Sequence, residues 1–211
     1  EGKLSVPRVV AIGTQVLSAL AAAHERRVIT RDLKPENIFL TQQDGVEVVR
    51  LLDFGIAKVL DDAEDPKLTR TGAVLGTPAY MAPEQARGAN IDLRSDIYAA
   101  GCVLYEALAG RPPFVAENYN ALLVAIQEDE AKPLTEFRRD VDEGLAEVIA
   151  RAMAKRADDR FENAQQMLEA LQPWSAPESV VVPGAAFVAS PTLVSNESAS
   201  ERPAGRSRSS R

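Results

Sequence analysis

The spacing of apolar side chains near the start of the chain predicts an amphipathic helix. Ser5 can act as its N-cap, and Pro7 falls in the first turn, where a proline is tolerated. The apolar positions then recur every three or four residues, which is the period of an α-helix. These positions are Val9, Ile12, Val16, Leu17 and Leu20, and His24 follows at the same spacing. We assign His24, at the end of this face, to core packing rather than to ligand binding.

A second pattern predicts a β-hairpin. Two apolar runs, Ile38 to Leu40 and Val46 to Leu52, lie on either side of an Asp44-Gly45 pair. Asp-Gly between apolar runs is typical of a tight hairpin turn, because both turn residues must adopt a positive φ.

Helical periodicity returns in the second half of the chain. Residues 96–109 are strongly apolar and should be buried, whereas residues 118–127, 143–154 and 163–171 have one apolar face each. Residues 56–95, rich in Asp, Gly, Thr and Pro, show little periodicity and read as a long loop, which in a compact domain is usually functional or mobile. The patterns together predict a mainly α fold with one short hairpin.

Composition excludes several classes of protein. The 211 residues carry a net charge of −7, which argues against nucleic-acid binding, because that needs clustered Lys and Arg. Cys102 is the single cysteine, so no intrachain disulfide forms, and a reducing, cytoplasmic location is expected. We expect that no stretch approaches the roughly 20 apolar residues of a membrane span, and the first residues lack the apolar core of a secretory signal.

The composition changes near Pro173. Residues 174–211 contain nine serines and four prolines and few periodic apolar positions. Such a segment buries too little surface to offset its ordering entropy, so we expect a disordered tail. Trp174, at its start, is expected to cover a hydrophobic edge. Residues 1–173 suit one domain.

Three short motifs carry the chemistry. The first is Arg31-Asp32-Leu33-Lys34-Pro35-Glu36-Asn37, the second is Asp53-Phe54-Gly55, and the third is Ala82-Pro83-Glu84, preceded by Gly76 to Met81. In this order they resemble the catalytic loop, the metal-binding motif and the end of the activation segment of protein kinases. The resemblance covers residues 1 to about 173 and is nearest to bacterial-type serine/threonine kinases. It implies the kinase large lobe.

The resemblance implies a role for each loop residue in phosphoryl transfer. Asp32 would accept the proton of the substrate hydroxyl, and Lys34 would reach the transferring phosphate. Asn37 and Asp53 would bind Mg²⁺, which prefers oxygen ligands. Phe39 falls where the family has the floor beneath the adenine of ATP. The implied cofactors are therefore ATP and Mg²⁺.

The resemblance also implies regulatory and structural roles. Arg31, beside Asp32, would pair with a phosphorylated threonine of the activation loop, for which Thr69 and Thr71 are the candidates. Thr77 resembles the threonine of the substrate-binding loop that contacts the catalytic Asp and Lys. Three further residues match structural positions of the family: Glu84 and Arg160 as a buried ion pair, and Asp96 as the helix-borne carboxylate that holds the catalytic-loop backbone.

The sequence departs from the family pattern at two points. Thr30 stands where the family usually has His. The smaller threonine lacks the ring contact, so the packing beneath Phe54 should be looser. The larger departure is that the 211 residues contain no Gly-rich phosphate loop and no small-lobe Lys with its Glu partner ahead of Arg31. We therefore expect a large lobe whose small lobe is absent.

Two functions follow from these features. The first is enzymatic: transfer of the ATP γ-phosphoryl to Ser/Thr of protein substrates in signalling, with weak or no activity for the isolated chain. The second is non-catalytic: a pseudokinase or docking module that binds partner proteins. Two explanations of the missing small lobe stay open: a partner supplies or covers it, or the gene encodes it upstream of codon 1.

Overall fold

In a computed structural model, which describes residues 3–52 and 78–175, the helices pack around one central helix, α3. The helices are α1 (Val6–Glu25), α2 (Pro83–Ala86), α3 (Arg94–Ala109), α4 (Tyr119–Glu128), α5 (Leu134–Phe137), α6 (Glu143–Ala152) and α7 (Ala164–Leu171). The strands are β1 (Ile38–Gln43) and β2 (Val46–Leu51). Within these described residues the fold is mainly α with one hairpin, as the sequence predicted.

Helix α3 forms the centre of the core. Most of its side chains are buried, and it packs against α1, α6 and α7. Gly101 makes the approach of α6 possible, because a Cβ at this position would lie 2.9 Å from Ala152 Cβ and from Met153 Cγ. Cys102, on the same helix, is buried and unpaired, and burial raises the pKa of its thiol to about 12. It is an inert core thiol, as expected.

Helix α1 begins after Ser5, as predicted, but the Ser5 side chain makes no capping hydrogen bond. The helix has 20 residues, and an 18-residue stretch of it has a mean hydropathy of 1.5, so by length and composition it could cross a membrane. The expectation that no stretch approaches this length was therefore wrong. The buried residues of α1 nevertheless belong to the hydrophobic core shared with α3 and α7.

The hairpin forms about the predicted turn. β1 and β2 are antiparallel, with Gln43 opposite Val46, and the turn residues Asp44 and Gly45 have φ values of 51° and 81°. Both values lie in the left-handed region that an Asp-Gly turn favours.

One side chain of α1 attaches the hairpin to the helical body. The amide of Gln15 donates to the carbonyl of Glu47 over 3.1 Å and accepts from the backbone N–H of Val49 over 2.9 Å. Arg8 adds two hydrogen bonds to the Glu47 carboxylate. The hydrogen bond from Arg8 holds the pKa of that carboxyl below its ordinary value. The 30–37 loop therefore lies between α1 and β1, and β1 is attached to α1 through its partner strand β2.

Three of the later helices begin at a side-chain cap. Asn118, Asp142 and Asn163 accept hydrogen bonds from backbone N–H groups in the first turns of α4, α6 and α7. These caps explain why the helix starts agree with the sequence prediction to within one residue. The described part of the predicted 56–95 loop, residues 78–95, is more ordered than expected, since it contains a 3-10 turn at Pro78–Tyr80, helix α2 and the start of α3.

The last described residues pack on the helical body. Gln172–Trp174 form a 3-10 turn, and Trp174 lies partly buried against the hydrophobic core, close to Gly144. Trp174 thus covers an apolar edge, as expected. The remainder of the predicted tail, residues 176–211, lies outside the described residues, so its expected disorder stays a prediction.

Candidate active site

The 30–37 loop is tied to the central helix through one buried carboxylate. Asp96 of α3 is fully buried and receives four hydrogen bonds. The backbone N–H groups of Thr30 and Arg31 donate to it over 2.9 Å each, and the Thr30 hydroxyl donates over 2.8 Å. The implied role of Asp96, holding the loop backbone, agrees with this geometry.

The fourth partner of Asp96 is His24, which the sequence analysis assigned to packing alone. Its Nε2 lies 2.9 Å from Oδ2 of Asp96, and its side chain is only 5% exposed. Because a carboxylate oxygen accepts, Nε2 must carry the proton of this bond. The assignment of His24 to packing alone was therefore incomplete. A polar group at the end of an otherwise apolar helix face was the signal that could have indicated a buried partner.

Thr30 occupies the position where the resemblance expected a histidine and a looser packing. The residue is buried, and its hydroxyl fills one of the four acceptor positions of Asp96. Phe54, against which the looser packing was predicted, lies outside the described residues, so that expectation stays a prediction. The structure adds that Thr30 makes a specific contact of its own.

Three of the predicted site residues lie together at the end of this anchored loop. Lys34 Nζ donates to Oδ2 of Asp32 over 2.7 Å, and the Asn37 amide donates to the Asp32 carbonyl over 2.9 Å and to Oδ2 over 3.3 Å. The Asp32 side chain is 55% exposed, whereas that of Lys34 is 21% exposed. A carboxylate held by an ammonium and an amide, yet open to solvent, can accept a proton from a bound hydroxyl group.

The remaining residues of the predicted ATP site are described only in part. Phe39 lies on β1 and is 48% exposed, so its ring is available to a ligand above the hairpin. Asp53 lies outside the described residues. Within residues 3–52 and 78–175, no three His, Cys, Asp or Glu side chains form a group that could hold a metal ion. Asn37 is therefore the described part of the predicted Mg²⁺ site.

Arg31 has an unusual backbone and a buried side-chain nitrogen. Its φ is 59°, in the left-handed region that non-glycine residues rarely adopt. Its Nε is buried and has no hydrogen-bond partner among the described residues. Its carbonyl accepts a hydrogen bond from the Gln85 amide over 3.1 Å. The predicted partners of Arg31, Thr69 and Thr71, lie outside the described residues, as does Thr77.

Glu84 and Arg160 form the ion pair that the resemblance implied. Two parallel hydrogen bonds of 2.7 and 2.8 Å join the guanidinium to the carboxylate, and the Ser95 hydroxyl donates to the same carboxylate over 2.7 Å. Burial alone would raise the pKa of Glu84, but the hydrogen bonds from Arg160 and Ser95 outweigh it and lower the pKa.

The pair fixes α2 to the region around α3. Arg160 is 2% exposed, and it also donates to the carbonyls of Arg94, Ala154 and Lys155. Its guanidinium lies 4.9 Å from the centre of the Tyr98 ring. The end of the predicted activation segment is therefore attached to the folded body.

A second contact to α3 was not anticipated from the sequence. The Tyr80 hydroxyl donates to the Glu106 carboxylate over 2.5 Å. Burial, followed by this hydrogen bond, raises the pKa of the Tyr80 phenol. No local pattern reports this pairing, because the two residues lie on separate elements, the Pro78–Tyr80 turn and α3.

Comparison with known proteins identifies the arrangement. The protein kinase domain family matches residues 1–174. The chain belongs to this family. It is 45% identical over 170 residues to the serine/threonine-protein kinase Pkn1 of Myxococcus xanthus, and 44% identical over 176 residues to pkn3 of the same organism. It is also 40% identical over 169 residues to the serine/threonine-protein kinase PknB of Mycolicibacterium smegmatis.

These matches cover most of the chain and a minor part of each relative. They include 80%, 82% and 79% of this protein kinase domain chain, but only 24%, 32% and 26% of the three relatives, respectively. The chain therefore spans about a quarter to a third of the length of the curated kinases that it matches. Bacterial serine/threonine kinases are its relatives, as the motifs indicated.

Proposed function

We propose that this chain is the large lobe of a serine/threonine protein kinase, which transfers the γ-phosphoryl group of ATP to protein hydroxyl groups in a signalling pathway. The observation that carries the proposal is the contact of Asp32 with Lys34 and Asn37 on a loop that Asp96 holds. A non-catalytic domain would not require these polar contacts around the half-exposed carboxylate of Asp32.

Asp32 acts as the base in the proposed reaction. The hydroxyl oxygen of the substrate Ser or Thr forms a bond to the γ-phosphorus, and the bond from that phosphorus to the bridging oxygen of ADP breaks. The hydroxyl proton goes to the Asp32 carboxylate, and the electron pair of the broken bond leaves with ADP. The contacts of Asp32 with Lys34 and Asn37 fix the direction from which this carboxylate receives the proton.

Lys34 has a second task in the same step. Its ammonium is held 2.7 Å from Asp32, so a hydroxyl group beside Asp32 places the incoming phosphoryl oxygens within reach of the same positive charge. Stabilisation of charge that develops in the transition state is the main contribution that a protein makes to phosphoryl transfer. Lysine at this position is, by resemblance, the form found in serine/threonine kinases, which supports protein Ser/Thr as substrates.

The available donor set fits ATP and Mg²⁺. Asn37 offers an amide oxygen, since its nitrogen is the atom that donates to Asp32, and Asp53 would add a carboxylate. The ion supplies charge neutralisation at the phosphates when it is bound. The Phe39 ring provides an apolar surface for the adenine.

We further propose that the 211 residues alone transfer phosphate poorly. They contain no Gly-rich phosphate loop ahead of Arg31 and no Lys that would pair with the α- and β-phosphates. Half of an ATP site gives low affinity, because the phosphates lack the cationic and backbone N–H groups that normally surround them. Cys102, as the sole and buried cysteine, suits a reducing cytoplasmic location.

Radiolabelled ATP with Mg²⁺ and a generic basic protein tests the reaction. We expect weak transfer from the 211-residue chain and strong transfer from a longer form that carries a small lobe. Asp32→Asn should abolish transfer in both. Asp44→Asn, a matched change at the exposed hairpin turn, should leave it unaltered. Transfer that survives Asp32→Asn would contradict the assigned base.

A second candidate function, a docking module, is favoured by exposed apolar side chains on the hairpin and at its end. Four large apolar side chains there are between 39% and 49% exposed: Phe39, Leu40, Val46 and Leu52. Large apolar side chains exposed in one region of a surface mark an association site. We propose that a small lobe, in this protein or on a partner, covers it. Sedimentation should then show self-association that Phe39→Ser with Leu40→Ser reduces, and a stable monomer of the unaltered chain at high concentration would contradict this.

A further inference from the structure

The side chain of Gln85 spans two elements of the site. Its Oε1 accepts the backbone N–H of Ala82 over 2.8 Å, and its Nε2 donates to the carbonyl of Arg31 over 3.1 Å. One partner is a donor and the other an acceptor, so together they determine which end of the amide carries oxygen. Ala82 precedes α2, whereas Arg31 belongs to the 30–37 loop.

The first contact has a local role at the start of α2. Gln85 is the third residue of that helix, and its bond to the N–H of Ala82 is one half of a capping box. The other half needs a side-chain acceptor on Ala82, which alanine lacks. A glutamate at position 85 would make the same local contact, so capping alone does not require an amide.

The second contact acts on the peptide unit that carries Asp32. The carbonyl of Arg31 and the N–H of Asp32 belong to one planar peptide group, which moves as a unit. The N–H on the other side of Arg31 is bound to Asp96 over 2.9 Å. Gln85 and Asp96 thus hold Arg31 from its two ends, in a backbone conformation, φ 59°, that is strained for a non-glycine residue.

We infer that Gln85 is a positioning residue, which orients the Arg31–Asp32 peptide and through it the Asp32 carboxylate. Gln85 also makes this orientation depend on the position of α2. The preceding residue of that helix, Glu84, is bound to Arg160. The end of the activation segment therefore acts on the position of the base through one side-chain amide and the Arg31–Asp32 peptide. The inference rests on the proposed function for its effect on turnover, but not for its effect on the loop.

Two substitutions separate the capping contact from the positioning contact. Gln85→Glu keeps an acceptor for the Ala82 N–H and removes the donor to Arg31. Gln85→Leu removes both and introduces no charge that Arg31 could attract. The matched control is Gln165→Glu on α7, an exposed glutamine whose amide donates to Glu169 over 3.0 Å. It loses a side-chain hydrogen bond of the same kind away from the site.

The first measurement is amide hydrogen exchange on the 211-residue chain, which needs no kinase activity. In the unaltered chain, the side-chain NH₂ protons of Gln85 should exchange about tenfold more slowly than those of Gln165. The backbone N–H of Arg31 should exchange about tenfold faster in both Gln85 variants, whereas that of Val9, bound to the Ser5 carbonyl, should not change. Equal exchange of the two glutamine side chains, or an unchanged Arg31, would overturn the inference.

The second measurement is turnover in the longest form that the gene encodes. Gln85→Glu and Gln85→Leu should each lower kcat about tenfold or more, because a misplaced base loses reactive geometry, while the KM for ATP changes less than about twofold. Gln165→Glu should leave both constants unchanged. A loss of kcat that only follows the loss of folded protein, measured by the unfolding temperature, would reduce Gln85 to a structural role and overturn the inference. If the unaltered protein transfers no phosphate at all, the proposed function fails, and the exchange data alone decide whether Gln85 positions the loop.

Discussion

The hydroxyl of Thr30 donates a hydrogen bond of 2.8 Å to Oδ1 of Asp96, and the Arg31 N–H donates to the same oxygen. Oδ2 receives the Thr30 N–H and His24. Each oxygen of this buried carboxylate thus has two hydrogen-bond partners, which is how a carboxylate can be stabilised in the core. Thr30, a departure from the family pattern, is one of the residues that stabilises it.

Thr30→Val should test the contribution of the hydroxyl. Valine keeps the branched shape and removes one donor to Asp96, so we expect a loss of about 1–3 kcal/mol of unfolding free energy. Thr30→Ser keeps the hydroxyl and should cost less than about 1 kcal/mol. Urea unfolding of the three proteins measures both. Equal stability of the Val and Ser variants would show that the hydroxyl bond contributes nothing.

Glu84→Gln should destabilise the protein far more than a surface change does. It removes the charge that compensates Arg160, which is 2% exposed, and breaking one side of a buried pair costs about 3–5 kcal/mol. Because Arg160 would keep three backbone carbonyl acceptors, we expect the lower end of this range, about 3 kcal/mol. Glu147→Gln, at an exposed position of α6, is the control and should stay within about 0.5 kcal/mol.

The contribution of Glu84 should disappear in acid. The pKa of its carboxyl is lower in the folded protein than in the unfolded chain, where it is about 4.3, so the unfolded state binds the proton more tightly. The stabilisation is therefore present above that value and is lost as the pH falls through the lower folded pKa. The difference in unfolding free energy between the unaltered protein and Glu84→Gln should be constant above about pH 6 and shrink below about pH 4. A difference that does not depend on pH would contradict this assignment.

Gly101→Ala should destabilise the packing of α3 against α6. The added methyl carbon would lie 2.9 Å from Ala152 Cβ and Met153 Cγ, closer than carbon atoms pack. Overpacking of a core contact costs about 1–3 kcal/mol, which exceeds the gain in helix propensity. Gly144→Ala, which lies in α6 against the edge of Trp174, should cost less because that ring can shift. Thermal unfolding compares the two, and a stable Gly101→Ala variant would show that the helices can move apart.

The sequence predicted elements whose cause is local. The hairpin was predictable because an Asp44-Gly45 turn is specified locally, and the later helices were predictable from the period of their apolar positions. Helix α5 was missed because its four residues are too few to show a period. The motif resemblance identified Asp96 and the pair of Glu84 with Arg160, which periodicity alone could not.

The contacts that were missed join residues far apart in the sequence. His24 and Gln85 are ordinary helix residues when they are read locally, and their partners Asp96 and Arg31 lie on other elements. A hydrogen bond between distant residues leaves no periodic signal, so only the folded arrangement reveals it. The parts of the predicted site that the structure does not describe, Asp53 and Thr77, stay predictions.

The last prediction concerns regulation of a form that carries a small lobe. We propose that phosphate on Thr69 or Thr71 activates the enzyme by pairing with Arg31, whose Nε is buried and has no hydrogen-bond partner among the described residues. Lys67 and Arg70, next to those threonines in the sequence, would repel Arg31 before phosphorylation. Charge-assisted hydrogen bonds of about 1.5–3 kcal/mol each would then favour the paired state by tenfold or more.

Substitutions on both sides of the pair test this regulation. Replacement of both Thr69 and Thr71 by Ala should lower turnover about tenfold or more, since the pairing is lost. Arg31→Ala should make turnover independent of phosphorylation, because no partner for the phosphate remains. Thr41→Ala, a threonine on β1, is the control and should leave the response to phosphorylation intact. If the double Ala variant keeps full activity, this loop does not regulate the enzyme, and the buried Nε of Arg31 needs another partner.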